Sequence, residues 1–224
     1  MRESDKSKRM WKKDGIEFSA LKGKGIDIGC ADCPIMPNVR CFDMKDGDAN
    51  FITKYVKEQF DFVYSSHCLE HMHDPEKVVL EWWKLVKAGG YLFFTVPDED
   101  LYEQGIFPSA SNPDHKHTFT ISKSKSWSPL SVNVYDLARS LPNGEIASMV
   151  LQDDNYDRSM MSFGTKFNNN FLTRFFARAY FFLRRKSGVR IKLYEKFIQL
   201  YQPIDQLNND DTLAQIQCIV KKTK

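Results

Sequence analysis

No apolar run in these 224 residues approaches the ~20 that a membrane-spanning helix needs. The opening MRESDKSKRMWKKDG is polar throughout and has no apolar stretch of the kind that directs secretion. The expectation is therefore a cytoplasmic protein without stable membrane insertion. Cysteine is scarce at five, an odd number, which in an unexported chain reads as reduced thiols and not as a disulfide framework. Cys30-Ala31-Asp32-Cys33 has redox or zinc spacing, but no second C-x-x-C accompanies it to complete a zinc site. No internal repeat is present. The net charge of +3 is too small by itself to mark a nucleic-acid binder.

The chain has the composition of a protein that folds around a core. Hydrophobic residues make up 42% and charged residues 27%, with 17 Phe, which excludes a disordered or fibrous chain. The length suits one α/β domain with an appendage. Lys24-Gly25-Ile26-Asp27-Ile28-Gly29 reads as a buried strand entering a turn, Val39 to Asp43 as a second strand, and Phe60 to Tyr64 as a third. Val78, Val79, Trp82, Leu85 and Val86 recur at helical spacing, with Asp74 as N-cap and Gly89 as the stop. Tyr91 to Val96 is a fourth strand, ended by Pro97. Further on, Val134 to Leu141 reads as helix, and Glu145 to Gln152 and Thr212 to Val220 as strands.

Strands alternating with helices predict an α/β, doubly wound, Rossmann-like sheet. It is mostly parallel, with helices on both faces, an antiparallel final strand and a helical insertion before that strand. The expected organisation is a basic N-terminal arm over 1–23, a core over 24–155 and 206–224, and a basic, aromatic helical insertion over 156–205 acting as a lid or interface. The Cys30 to Phe42 connection is short for a helical crossover, so a truncated helix is expected there. In the insertion, Arg174 and Arg178 lie four apart among Phe171, Phe175, Phe176 and Phe181. Its aromatic positions exceed one narrow stripe, which favours packing on the core or on a second subunit, as in a homodimer, over membrane immersion.

Ligands of open α/β sheets sit at the carboxyl ends of the strands, and the informative polar residues fall there. Gly29 lets backbone approach a ligand, Asp43 ends the second strand where an acid can accept both ribose hydroxyls, and Asp48-Ala49 follow within reach of a base. The missing G-x-G-x-x-G argues against a nicotinamide dehydrogenase, because little is left to hold a pyrophosphate.

Through GIDIGCADCPI, VRCFDMKDGDA, FDFVYSSHCLEH and LVKAGGYLFFTVPD, in that order, the sequence resembles the class I S-adenosylmethionine-dependent methyltransferases over roughly residues 24–121. The resemblance implies S-adenosylmethionine as cofactor. It assigns Asp27, Gly29, Cys30 and Ala31 to the methionine half, Asp43 to the ribose, Asp48 and Ala49 to the adenine, and Ser66 and His67 to the pocket lining, with Met44 also among the cofactor-binding residues. Ala31 and Cys33 stand where the family usually has further glycines, and the Cβ at each narrows the approach of backbone to ligand.

Methyl transfer to a hydroxyl calls for alignment and for a base with pKa near 7. His115 and His117 in the NPDHKHTFT loop are the candidate bases, with Tyr102, Glu103, Asp114 and His71 as acceptor-binding groups. His67, His71 and His73 crowd one segment with Cys68 and Glu70, and His67 and His71 share a helix face if that segment is helical. The set has no clear third metal ligand, so no metal is expected. Thr95-Val96-Pro97-Asp98 is neither the Pro-Pro-aromatic signature of exocyclic-nitrogen methylation nor a Pro-Cys nucleophile. Asp98-Glu99-Asp100 is a poor neighbour for phosphodiesters, so no nucleic-acid partner is expected. The PDEDLYEQG and NPDHKHTFT loops resemble those of small methyltransferases of bacterial surface-polysaccharide pathways. The expected acceptor is thus a small molecule or glycan precursor, methylated on oxygen. An N-methyltransferase acting on a small molecule and a catalytically silent subunit supporting a partner are the alternatives.

Overall fold

The computed structural model describes residues 3–162, 171–187, 191–200, 203–207 and 211–224. Its strands are β1 (Gly25–Ile28), β2 (Arg40–Phe42), β3 (Phe60–Ser66), β4 (Val86–Pro97), β5 (Thr118–Thr120), β6 (Ser131–Asn133), β7 (Gly144–Gln152) and β8 (Gln215–Lys222). The helices are α1 (Glu3–Met10), α2 (Ile16–Ala20), α3 (Pro75–Lys84), α4 (Val134–Arg139), α5 (Phe171–Ser187) and α6 (Lys192–Gln199).

Six strands form one sheet in the order β2-β1-β3-β4-β8-β7, and β5 and β6 form a separate parallel pair. Strands β2, β1, β3 and β4 run parallel, while β8 is antiparallel to both of its neighbours. The parallel register brings the carboxyl ends of β1 to β4, and the loops that follow them, to one edge.

Alternation along the strands divides the core between the two faces. Val63, Phe94, Cys218 and Val220 join Trp82, Trp83 and Leu137 from α3 and α4. Phe62, Tyr64, Phe93 and Ile219 point the other way and are covered by Trp11, Ala20 and Leu21. The basic N-terminal arm thus packs as the second layer. Trp11 lies 5.3 Å from the Phe93 ring and donates from Nε1 to Gln217 Oε1 at 2.9 Å. Lys6 is buried and donates to Leu207 O at 2.5 Å.

Local sequence explains several departures from expectation. Asp74 does cap α3, accepting from Lys77 N at 3.2 Å, but α3 ends at Lys84 and Gly89 lies within β4. The reason is tertiary: Val86 already pairs with Phe60, and the next pairing, Phe62 with Tyr91, leaves Lys87 to Gly90 as an irregularity in the strand. No helix of any length lies between Gly29 and Val39; the arm covers the sheet in its place. Cys30 and Cys41, expected as free thiols, are joined in a disulfide, because β1–β2 pairing sets Cys30, two residues past β1, beside Cys41 of β2 with the Cα atoms 5.6 Å apart.

Of the insertion, residues 163–170, 188–190 and 201–202 lie outside the described residues. Tyr180, Ile198, Met160 and Ile204 form its own small cluster, with the Tyr180 hydroxyl donating to buried Glu195 at 3.1 Å. Phe175, Phe176, Phe182 and Leu183 are exposed. Among the described residues, no helix is long and apolar enough to cross a membrane.

Candidate active site

The turn after β1 is built for close approach. Gly29 has φ +79°, and a Cβ there would stand 2.8 Å from Cys68 Cβ. Its N–H donates to Phe42 O at 2.9 Å, tying the turn to the end of β2. Ala31 also takes a positive φ, +48°, and its N–H donates to Asp43 Oδ2 at 2.6 Å. Asp43 Oδ1 accepts from Met44 N at 2.7 Å, and the Met44 side chain is 91% exposed. Asp27 is buried beneath the loop and accepts from Ile35 N at 2.7 Å, so it fixes the loop from below. Cys30, buried and disulfide-bonded, does the same from the side.

Asp48 caps the 3-10 turn Ala49–Lys54, and its bonds from the Asn50 side chain and backbone hold its carboxyl below the usual range. Ala49 O accepts from Trp82 Nε1 at 3.0 Å. At the end of β3, Ser66 Oγ accepts from Thr95 Oγ1 at 2.9 Å. His67 follows with φ +51°, its Nε2 2.7 Å from Gln215 Oε1 and its Nδ1 3.3 Å from Glu70 Oε1. Leu69–His71 forms only a single 3-10 turn. His67 and His71 therefore do not share a helix face as their spacing suggested.

A second group of polar side chains is assembled from distant segments. Lys116 N donates to Glu70 O at 2.8 Å, which docks the 112–117 loop against the end of β3. His115 is thereby buried, with Nδ1 2.7 Å from Glu103 Oε1, Nε2 4.0 Å from Glu70 Oε1, and its ring 5.1 Å from those of both His71 and Tyr102. His71 Nδ1 faces Asp114 Oδ2 at 3.0 Å. His117 is turned aside, with Nε2 3.2 Å from His73 O. Glu70 is completely buried; burial raises its pKa, but the hydrogen bond and charge of His67 outweigh this and hold it below the usual range.

Hydrogen bonds thus join Ala31, Met44 and Asp43 at the β1–β2 edge, and contacts join His71, Tyr102, Glu103 and His115 in a second group, which His67 meets through Glu70. Sequence reasoning did not assign Glu70 or Gln215 to the site. Glu70 carried a weak signal as a lone acid between histidines in HCLEH, while Gln215 carried none. The acidic run after β4, expected as loop, forms one helical turn, Glu99–Glu103, which Asp98 caps by accepting from Asp100 N and Leu101 N. Buried Glu99 accepts from Ser126, Ser131 and Lys123, so it anchors the segment leading to β6 and faces no ligand.

The sheet order, the glycine turn and the acid after β2 define a class I S-adenosylmethionine-dependent methyltransferase fold. Residues 26–94 match the family described as methyltransferase domain. The chain is 31% identical over 90 residues to the ubiquinone biosynthesis O-methyltransferase of Pseudomonas putida, an alignment covering 35% of this chain and 38% of that protein. The chain therefore spans well under half the length of the curated relatives it matches. Among solved structures it is similar to a SAM-dependent methyltransferase from Archaeoglobus fulgidus. There the TM-score is 0.50 at 14% identity, over 98% of this chain and 92% of that one.

Proposed function

We propose that the protein transfers a methyl group from S-adenosylmethionine to a hydroxyl of a sugar, activated sugar or other small acceptor in bacterial surface-glycan biosynthesis. The observation that carries the reading is the state of Asp43. An ionised carboxylate offers about four acceptor sites. Ala31 N and Met44 N occupy two of them, which leaves two for the vicinal hydroxyls of a ribose. The Gly29 turn fits the same group, since it has no Cβ and leaves exposed backbone beside the carboxylate. Ala31, Met44, Asp48, Ala49, Ser66 and His67 complete the cofactor wall, with Asp27 and Cys30 holding the loop behind it.

When bound, the cofactor supplies an electrophilic methyl on a sulfonium, which departs as a neutral thioether. The chain's task is to align the acceptor and remove its proton. His115 is the better placed base: Glu103 accepts from Nδ1–H, which fixes the tautomer and leaves the Nε2 lone pair to take the proton. His117 is the second candidate, and Tyr102, His71 and Asp114 orient the acceptor. The relative named as an O-methyltransferase supports oxygen over nitrogen.

The test is incorporation of labelled methyl into a panel of nucleotide sugars. Transfer to at least one is expected, with His115→Ala losing it while cofactor affinity stays. No transfer to any sugar defeats the acceptor class, and full turnover in both His115→Ala and His117→Ala defeats the base assignment.

A further inference from the structure

Glu70, His71 and His115 each place one ligand atom within 4.8 Å of the other two. We infer that they form a binding site for a divalent first-row transition cation, set beside the acceptor position. The sequence lacked a third ligand near the His67–His73 segment; the fold supplies it as His115, brought in by the Lys116–Glu70 backbone bond.

Three observations point to a cation. Glu70 is 0% exposed, and its carboxylate oxygens accept no well-formed hydrogen bond, the nearest donor being His67 Nδ1 at 3.3 Å from Oε1. A buried carboxylate so placed is costly unless a positive charge faces it. Second, both histidines have their Nδ1 held by a carboxylate, His115 by Glu103 and His71 by Asp114. A carboxylate only accepts, so Nδ1 carries the proton and Nε2 the lone pair. That outer support is the usual arrangement of metal-ligating histidines. Third, the His115 lone pair faces Glu70 Oε1 at 4.0 Å. Two acceptors face each other there, a little wider than the ~3.3 Å between ligands on a tetrahedral ion with bonds near 2.0–2.1 Å. Two imidazoles and one carboxylate select Zn²⁺, Fe²⁺, Co²⁺ or Ni²⁺ over Mg²⁺ or Ca²⁺.

The inference deepens the proposed function and rests on it for its catalytic consequence alone. A coordinated acceptor hydroxyl loses its proton to bulk water at lower pH, so the agent of ionisation becomes a cation held by His115 in place of His115 alone.

Titration of the chelator-treated full chain, without methyl donor, tests it. Calorimetry with Zn²⁺ is expected to give one cation per chain. Co²⁺ is expected to give visible d–d bands without a thiolate charge-transfer band, which excludes the cysteines. His71→Ala, at a partly exposed position, and Glu70→Gln are each expected to weaken binding at least tenfold, with melting curves checking that Glu70→Gln folds. Absence of equimolar binding, a thiolate band, or unchanged affinity in His71→Ala overturns the site. Cation binding without S-adenosylmethionine binding sinks the methyltransferase reading and leaves the site; the reverse result sinks the site alone.

Discussion

Gly29 and Gly89 share φ +79°, but a Cβ on Gly29 meets Cys68 Cβ at 2.8 Å and Sγ at 3.0 Å, while one on Gly89 meets nothing within 4 Å. The pair therefore separates backbone strain from steric collision. An L-residue in the left-handed region costs about 1–2 kcal/mol, offset in part by about 0.4–1 kcal/mol from the less flexible unfolded chain. Gly89→Ala should accordingly lose at most about 1.6 kcal/mol. Gly29→Ala adds an overpacking cost of about 1–3 kcal/mol, for a total of about 1–4.6 kcal/mol. At roughly 2–4 °C per kcal/mol for a chain of this size, that amounts to a fall in Tm of about 2–18 °C. Urea melts of both variants measure the difference. A Cys68→Ala background keeps the Cβ contact, so most of the Gly29→Ala penalty should persist in it. Equal losses in the two glycine variants would refute the close packing of the β1 turn on Cys68, and with it the reason glycine is needed at the cofactor edge.

Trp11→Ala removes a buried indole that packs on Phe93 and bonds Gln217. A loss of about 3–5 kcal/mol is expected, with amide exchange accelerated over residues 3–21; an unchanged melt would show that the arm is not part of the core. Asp98 lies buried at the end of β4, and burial pushes its carboxyl up to about 6. With the folded pKa above the unfolded value, the folded state holds its proton more tightly. Asp98 therefore contributes no penalty below pH ~4 and destabilises progressively as pH rises to about 6. Asp98→Asn keeps an acceptor for the Asp100 and Leu101 amides, so it should overtake the wild type by up to about 3 kcal/mol between pH 4 and pH 7. Parallel pH profiles in urea melts would contradict this.

The strands were legible because buried parallel strands are short apolar runs that end at polar residues, as FDFVYSS does. Asp74-Pro75 announced the start of α3 through cap chemistry that is local. Its end was not legible, because Gly89 resembles a helix stop and only the pairing of Val86 with Phe60 shows that the strand has already begun. Nor was the second layer: Trp11 and Leu21 are sparse apolar residues in a basic arm, and their burial depends on a face of the sheet that no helix after β1 covers. The cofactor edge could be read because its residues follow strand ends one after another. The His115–Glu103 and His115–Glu70 contacts join segments 12 and 45 residues apart through loop docking, and spacing in the chain carries no trace of that.

Calorimetry with S-adenosylmethionine and S-adenosylhomocysteine is the most direct test of the claim that this sheet edge binds the donor through Asp43. The wild type should bind both and ignore NADH. Asp43→Ala should weaken binding about a hundredfold, since it deletes two charge-assisted bonds of about 1.5–3 kcal/mol each, only partly offset on rebinding water. Unchanged affinity in Asp43→Ala, or NADH binding in place of the methyl donor, would contradict it.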